Sequence, residues 1–235
     1  MFLKLQTLIV SIMKRRFLTL IVCFALLSAC SPAAFEKYGP LLPLTGGAQM
    51  DASAKVPAFD HIALIILENE QFDTVIGSSE MPVLNSLAEK NVLLTRYYAI
   101  RHPSLPNYLA LVGGDTFGIK KDCIDCYLSD PNLADLIEAS GRTWKTYQED
   151  MPSPCFAGDA HPYVQKHNPF MYFDKIRLDA DRCNRSVVPL TELDKDLSAN
   201  QLPNFSFIMP TICNSGHDCS LSVADAWVGA MVKKL

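Results

Sequence analysis

Arg101-His102-Pro103-Ser104-Leu105-Pro106-Asn107-Tyr108 sets a histidine, a hydroxyl, an amide and two prolines just ahead of the apolar run Leu109–Val112. Ser104 stands where a helix N-cap is expected, and Pro106 falls in the first turn, where a missing N–H costs little. The unsatisfied N–H groups and the positive dipole end of such a helix suit an anion, phosphate in particular. A serine in this place is either a plain cap or a nucleophile beside an anion-binding turn. Three further polar clusters stand at the ends of predicted elements: Glu68-Asn69, His167-Asn168 and His217-Asp218. Each has a structural explanation when taken singly: a turn cap, a surface imidazole beside Pro169, a loop closed by Cys213 and Cys219. Their shared place after strands is where α/β folds assemble sites.

The elements that must position these residues follow from hydrophobic pattern. His61–Leu67 is a continuous apolar run, the pattern of a strand buried on both faces, with Glu68-Asn69 at its C-terminal end. Met81–Lys90 has helical spacing, and Asn91–Tyr98 reads as the next strand. Leu133–Ala139 reads as a helix stopped by Ser140-Gly141, and Thr143–Gln148 as a strand. Residues 149–202, with prolines, two cysteines and scattered charge, read as a loop-rich insertion. Asn204–Pro210 is another short buried strand, and Ser222–Val232 opens a helix. Strands alternating with helices give the class: α/β, with a mostly parallel, doubly wound sheet.

The formal charge of −4 excludes a nucleic-acid partner of the usual kind, since no basic stripe is present to hold a phosphate backbone. Residues 1–30 read as a targeting segment rather than part of the fold. Lys14-Arg15-Arg16 forms a positive region, Phe17–Leu27 an apolar one, and Leu27-Ser28-Ala29-Cys30 resembles a lipobox with Cys30 as the lipidated residue. The natural start is Met1 or Met13. The apolar run falls short of the about 20 residues a spanning helix needs, so the expected partner is a membrane reached through a lipid anchor, not crossed. Ser31 after the cysteine points toward the outer membrane. Residues 31–57 read as a tether and 58–235 as the folded domain. Beyond Cys30 the remaining cysteines are Cys123, Cys126, Cys155, Cys183, Cys213 and Cys219, an even number that implies a disulfide framework in an exported protein. Local spacing suggests Cys123–Cys126, Cys155–Cys183 and Cys213–Cys219, although spacing alone does not choose among the pairings. The rival for Cys123-Ile124-Asp125-Cys126 is a redox motif or half a zinc site, and no second CxxC completes the latter.

Ile66-Leu67-Glu68-Asn69 with Gln71-Phe72-Asp73 and Gly77, then His102-Pro103-Ser104-Leu105-Pro106-Asn107-Tyr108, resembles the bacterial phosphoesterase family. That family holds secreted acid phosphatases and phospholipase C enzymes of the alkaline phosphatase superfamily. Glu149-Asp150-Met151-Pro152, His167-Asn168-Pro169-Phe170, and His217-Asp218 leading to Ala224-Asp225-Ala226-Trp227 fit the same pattern in the same order.

The resemblance implies an alkaline-phosphatase-like fold and these roles. Ser104 is the nucleophile that forms a phosphoserine. Glu68 and Asn69 are ligands of one divalent metal ion. Asn107 donates to a phosphoryl oxygen, and His167 and His217 stabilise the phosphoryl group or assist the leaving oxygen. His102 and Asp218 belong to the substrate-binding surround. The expected substrate is a phosphorylated small molecule or lipid, cleaved as a phosphomonoester, with phospholipase C-type phosphodiester cleavage as the alternative. Members continue past the Asp-Ala-Trp helix into a strand ending in an Asp-Glu pair and later supply a further histidine. Nothing after Trp227 matches either, so the resemblance implies a domain missing its C-terminal strands and part of its metal site. An inactive, phosphate-binding lipoprotein is the corresponding non-enzyme reading.

Overall fold

The computed structural model describes residues 58–68 and 70–235. The expected leader with Cys30, the tether and Asn69 lie outside the described residues. The elements run β1 (Ile62–Ile65), α1 (Phe72–Val75), α2 (Pro82–Lys90), α3 (Leu105–Gly113), α4 (Leu133–Ala139) and β2 (Trp144–Gln148). Two 3₁₀ turns (Gln165–His167 and Pro169–Tyr172) precede α5 (Asp174–Arg177), α6 (Ala180–Ser186), β3 (Val187–Pro189), α7 (Thr191–Ser198), β4 (Phe205–Met209) and α8 (Leu221–Lys234). The four strands form one sheet in the order β1-β4-β2-β3, every pair parallel.

A parallel sheet must be covered on both faces, and strand alternation supplies two cores. On β4, Phe205, Phe207 and Met209 point into a core with Trp144, Val187, Phe170 and the α3 residues Leu105, Tyr108 and Leu109. Ile208 points the other way and joins Tyr147 and Val188, covered by Leu193 of α7 and Met231 of α8. Phe170 locks the first core, with its ring centroid 4.7 Å from Trp144 and edge-on to Phe207 at 5.5 Å. Helices therefore cover both faces, and the sheet is doubly wound as the alternation of elements implied.

Three expectations need correction. The apolar run at 61–67 is not buried on both faces: β1 is four residues long and lies at the sheet edge of the described residues, with Ile62 52% exposed. Residues 91–98 form no strand, and Val92, Leu94 and Tyr97 are exposed. Apolar composition gave them β propensity, but a strand also needs a partner ladder, and none among the described residues reaches them. Residues 149–202 are not merely an inserted loop. Val187–Pro189 adds a strand to β2, too short to show a period of its own, and α7 packs on it. Among the described residues, three disulfides join the cysteines that local spacing paired: Cys123–Cys126, Cys155–Cys183 and Cys213–Cys219.

Two motif residues turn out to hold elements together. Asp225 of α8 is 3% exposed, and its carboxylate accepts the N–H groups of Val83 (2.9 Å) and Leu84 (2.8 Å) in the first turn of α2. It caps a helix more than a hundred residues away, at an end whose own N-cap position is the non-polar Met81. Glu149, just past β2, accepts from Thr211 N, Asn214 Nδ2 and Trp227 Nε1. It ties the ends of β2 and β4 to α8. Replacing Asp225 with alanine strips two partly buried N–H groups of their partner and should cost about 1–2 kcal/mol. The check is a lower urea midpoint at unchanged m-value; an unaltered midpoint would show that water satisfies these groups equally well.

Candidate functional site

Glu68 is the first charged side chain beyond β1. Its N–H donates to Ser215 O (2.9 Å) in the loop after β4, so it sits at the C-terminal edge of the sheet between two neighbouring strands. The carboxylate is 7% exposed. Ser104 Oγ donates to Glu68 Oε2 at 3.0 Å, and the Tyr108 hydroxyl donates to Oε1. Ser104 and Tyr108 are four residues apart, one turn of the same helix face, so α3 delivers a donor to each carboxylate oxygen. His167, at the end of a 3₁₀ turn and 2% exposed, brings Nε2 to 3.3 Å from Glu68 Oε1. That contact lacks hydrogen-bond alignment, and both ring nitrogens of His167 are buried without a partner. The imidazole ring lies 5.2 Å from Tyr108 and 6.2 Å from His217, centroid to centroid.

Burial governs the titration of this cluster. It pushes the Glu68 carboxyl above the usual carboxylate range, a shift that the hydrogen bonds from Tyr108 and Ser104 partly offset. Burial also raises the Tyr108 hydroxyl, with the Glu68 charge adding to the effect. His167 is lowered to about 3, by burial first and then by the positive charges of Lys166 and His217. At neutral pH the imidazole of the 3.3 Å contact is therefore neutral.

The remaining predicted residues are placed as follows. His217 belongs to the loop closed by Cys213–Cys219, and its Nδ1 lies 2.5 Å from Asp218 Oδ1, which fixes the ring and leaves Nε2 as its other nitrogen. His102 and Arg101 are exposed at the wall of a cleft of about 500 Å³ that Glu68, Ser104 and Asn107 also line. Asn107 has no spare amide atom facing that cleft: Oδ1 accepts from Ile100 N and Arg101 N, and Nδ2 donates to the carbonyls of Arg101, Pro103 and Ser104. Here it shapes the loop that enters α3.

The first turn of α3 also differs from expectation. Ser104 has helical backbone angles and its side chain caps nothing. Leu105 N donates to Asp122 Oδ1 at 3.1 Å, Pro106 has no N–H, and Asn107 N turns back to Ser104 O. The helix end thus offers no free first-turn N–H to an anion. Three residues around the site carried no role in the sequence reading: Tyr108, Asp122 and Lys166. Only Tyr108 had a readable signal, its four-residue spacing from Ser104.

The family model for the phosphoesterase family matches residues 78–235. The chain belongs to the phosphoesterase family. It is 38% identical over 194 residues to a phosphate-repressible acid phosphatase of Penicillium chrysogenum, covering 78% of this chain and 45% of that one. It is 34% identical over 192 residues to a probable acid phosphatase of Kluyveromyces lactis, covering 77% and 44%. A phosphatidylinositol-3-phosphatase of Mycobacterium tuberculosis is 33% identical over 184 residues, covering 75% and 58%. The chain spans about half the length of these relatives. Fungal relatives among them widen the bacterial family that the motifs resemble.

His167 makes acid stability testable. Its folded value lies below the unfolded one near 6.5, so the unfolded chain binds the proton first and stability falls as pH drops from about 6.5 toward about 3. The slope approaches about 1.4 kcal/mol per pH unit at most. The raised Glu68 carboxyl acts with opposite sign as it protonates, above the usual carboxylate range. Urea unfolding between pH 7 and 5 should show wild-type stability declining more steeply than that of His167→Asn, a variant that keeps Glu68. Identical slopes would contradict a buried, neutral His167.

Proposed function

We propose that this chain carries the nucleophilic part of an exported phosphomonoesterase site, with Ser104 as the attacking residue. The observation that supports it most is the Ser104 Oγ–Glu68 hydrogen bond at the mouth of the cleft, in a chain of the phosphoesterase family. Ser104 Oγ attacks phosphorus of R–O–PO₃²⁻, and its proton passes toward Glu68, the acceptor already in place. The bond from phosphorus to the ester oxygen breaks, and ROH leaves after taking a proton from His217 or water. Water then attacks the phosphoserine, returning the Ser104 hydroxyl and releasing inorganic phosphate. His167, with both ring nitrogens unpartnered and Nε2 3.3 Å from the same carboxylate, is the candidate to hold a phosphoryl oxygen or accept a donor from substrate. Asp218 holds the His217 ring for its part, while His102 and Asn107 shape the cleft wall.

The divalent ion implied by the resemblance would take Glu68 and Asn69. Among the described residues no three His, Cys, Asp or Glu side chains converge to hold an ion, and a hard cation wants about six oxygen-type ligands. The described donors therefore do not fit a complete site, and no step above runs through the metal. Export is supported by three disulfides, which persist in oxidising compartments. No described helix is long and apolar enough to cross a membrane, and a lipid anchor at Cys30 remains part of the proposal. A phosphorylated lipid is the second substrate reading, favoured by the relative named phosphatidylinositol-3-phosphatase.

Incubated with 4-nitrophenyl phosphate and a divalent salt, the chain should release nitrophenol and carry covalent phosphate on the Ser104 peptide after an acid quench. Ser104→Ala should lose the adduct and at least about 10³-fold in turnover while melting like wild type. An adduct on another residue, or a Ser104→Ala variant of undiminished rate, refutes the assignment. Preference for the bis-ester or for a phosphoinositide in vesicles would redirect it to a diester or lipid substrate.

A further inference from the structure

We infer that Asp122 is a positioning residue that binds the first N–H of α3 and so holds the start of that helix where the Ser104 hydroxyl faces Glu68. The inference rests on the reading of Ser104 as the nucleophile. A serine at an N-cap ordinarily turns its oxygen onto the first-turn N–H groups of its own helix, which competes directly with presenting that oxygen to a substrate. Ser104 occupies the N-cap position of α3 without making that bond. The usual partners of such a serine are the N–H groups two and three residues further on, and that of Asn107 turns back to Ser104 O, while the first N–H of the helix, on the fully buried Leu105, goes to Asp122 Oδ1 at 3.1 Å. Pro106 next in line has no N–H to offer. With the helix end satisfied from outside, Ser104 Oγ points to Glu68 Oε2 at 3.0 Å.

Asp122 is itself held from several sides. Its other oxygen, Oδ2, meets Lys166 Nζ at 3.2 Å, and Lys166 adjoins His167. The residues after it form the small loop closed by Cys123–Cys126. Cys123 O accepts the Tyr172 hydroxyl at 2.6 Å, and Ile124 O accepts Gln165 Nε2 at 2.9 Å. Gln165 is 1% exposed and begins the 3₁₀ turn that ends in His167. One short disulfide loop thus grips the N-terminus of the Ser104 helix and the turn that carries His167. Its effect is to hold both relative to Glu68. Asp122 lies near the surface, so it can be changed without opening the core.

The test compares the wild-type chain with Asp122→Ala, Asp122→Asn and Lys166→Met. Asp122→Asn keeps an oxygen for the Leu105 N–H but loses the charge, and Lys166→Met removes the ion pair while keeping the cap. The readouts are hydrogen exchange of the Leu105 amide, labelling of Ser104 by a fluorophosphonate, and turnover of 4-nitrophenyl phosphate. Asp122→Ala should speed Leu105 exchange roughly tenfold, as loss of a cap does, and slow Ser104 labelling by a similar factor. Its kcat should fall with KM nearly unchanged. Asp122→Asn should restore most of each quantity, and Lys166→Met should leave Leu105 exchange at the wild-type rate. Wild-type exchange in Asp122→Ala overturns the cap, and faster exchange with undiminished labelling overturns its link to Ser104. A wild-type chain in which Ser104 neither labels nor turns over substrate refutes the nucleophile reading and with it the link, while the exchange comparison separately decides the cap.

Discussion

The arrangement of this domain hangs on one buried carboxylate. Glu68 stands at the end of β1 where water is nearly excluded, and a carboxylate there must be met by donors or become neutral. Two donors arrive from one helix face, Ser104 and Tyr108, one to each oxygen, and His167 closes the side they leave. The position of α3 relative to the sheet, the direction of the serine hydroxyl and the burial of the imidazole are thereby one linked problem. Moving the helix or turning the hydroxyl away leaves the Glu68 carboxyl short of a donor in a low-dielectric place.

That problem is solved by contacts distant in sequence. The loop after β4 fixes the Glu68 backbone through Ser215, and the same loop carries His217 inside the Cys213–Cys219 ring. On the opposite side the Cys123–Cys126 loop holds the start of α3 and the 3₁₀ turn of His167. Glu149 and Asp225 work as hidden hubs behind the cleft: one gathers Thr211, Asn214 and Trp227, the other caps α2. Acidic residues within a family motif are easily taken for ligands. These two bind backbone and side-chain donors of their own chain, and they serve the site by fixing the elements that line it.

The α/β class, the helices at 82–90 and 133–139, the strands at 144–148 and 205–209 and the three cystine pairs were all legible in the sequence. Each has a local cause: amphipathic spacing, an apolar run bounded by turn residues, or cysteines a short way apart. The strand expected at 91–98 failed because apolar residues specify a strand only where a partner ladder exists. The strand at 187–189 was missed because three residues carry no measurable period, and its place in the sheet comes from pairing with β2.

For the site, the sequence by itself determined the residue types and, for Glu68 and His217, which follow strands, the edge they would occupy; Ser104 and His167 reach that edge from a helix start and a 3₁₀ turn. It also determined, through its motifs, membership of the phosphoesterase family. Only the tertiary structure decided what each residue touches. Asn107 turns its amide onto the loop, Asp122 binds the first N–H of α3, and Tyr108 joins Ser104 on Glu68, because these are contacts and not spacings. Ser104 was legible as a cap or as a nucleophile. What separates the two is where the hydroxyl points, and it points to Glu68, 36 residues back along the chain, where no local pattern reaches.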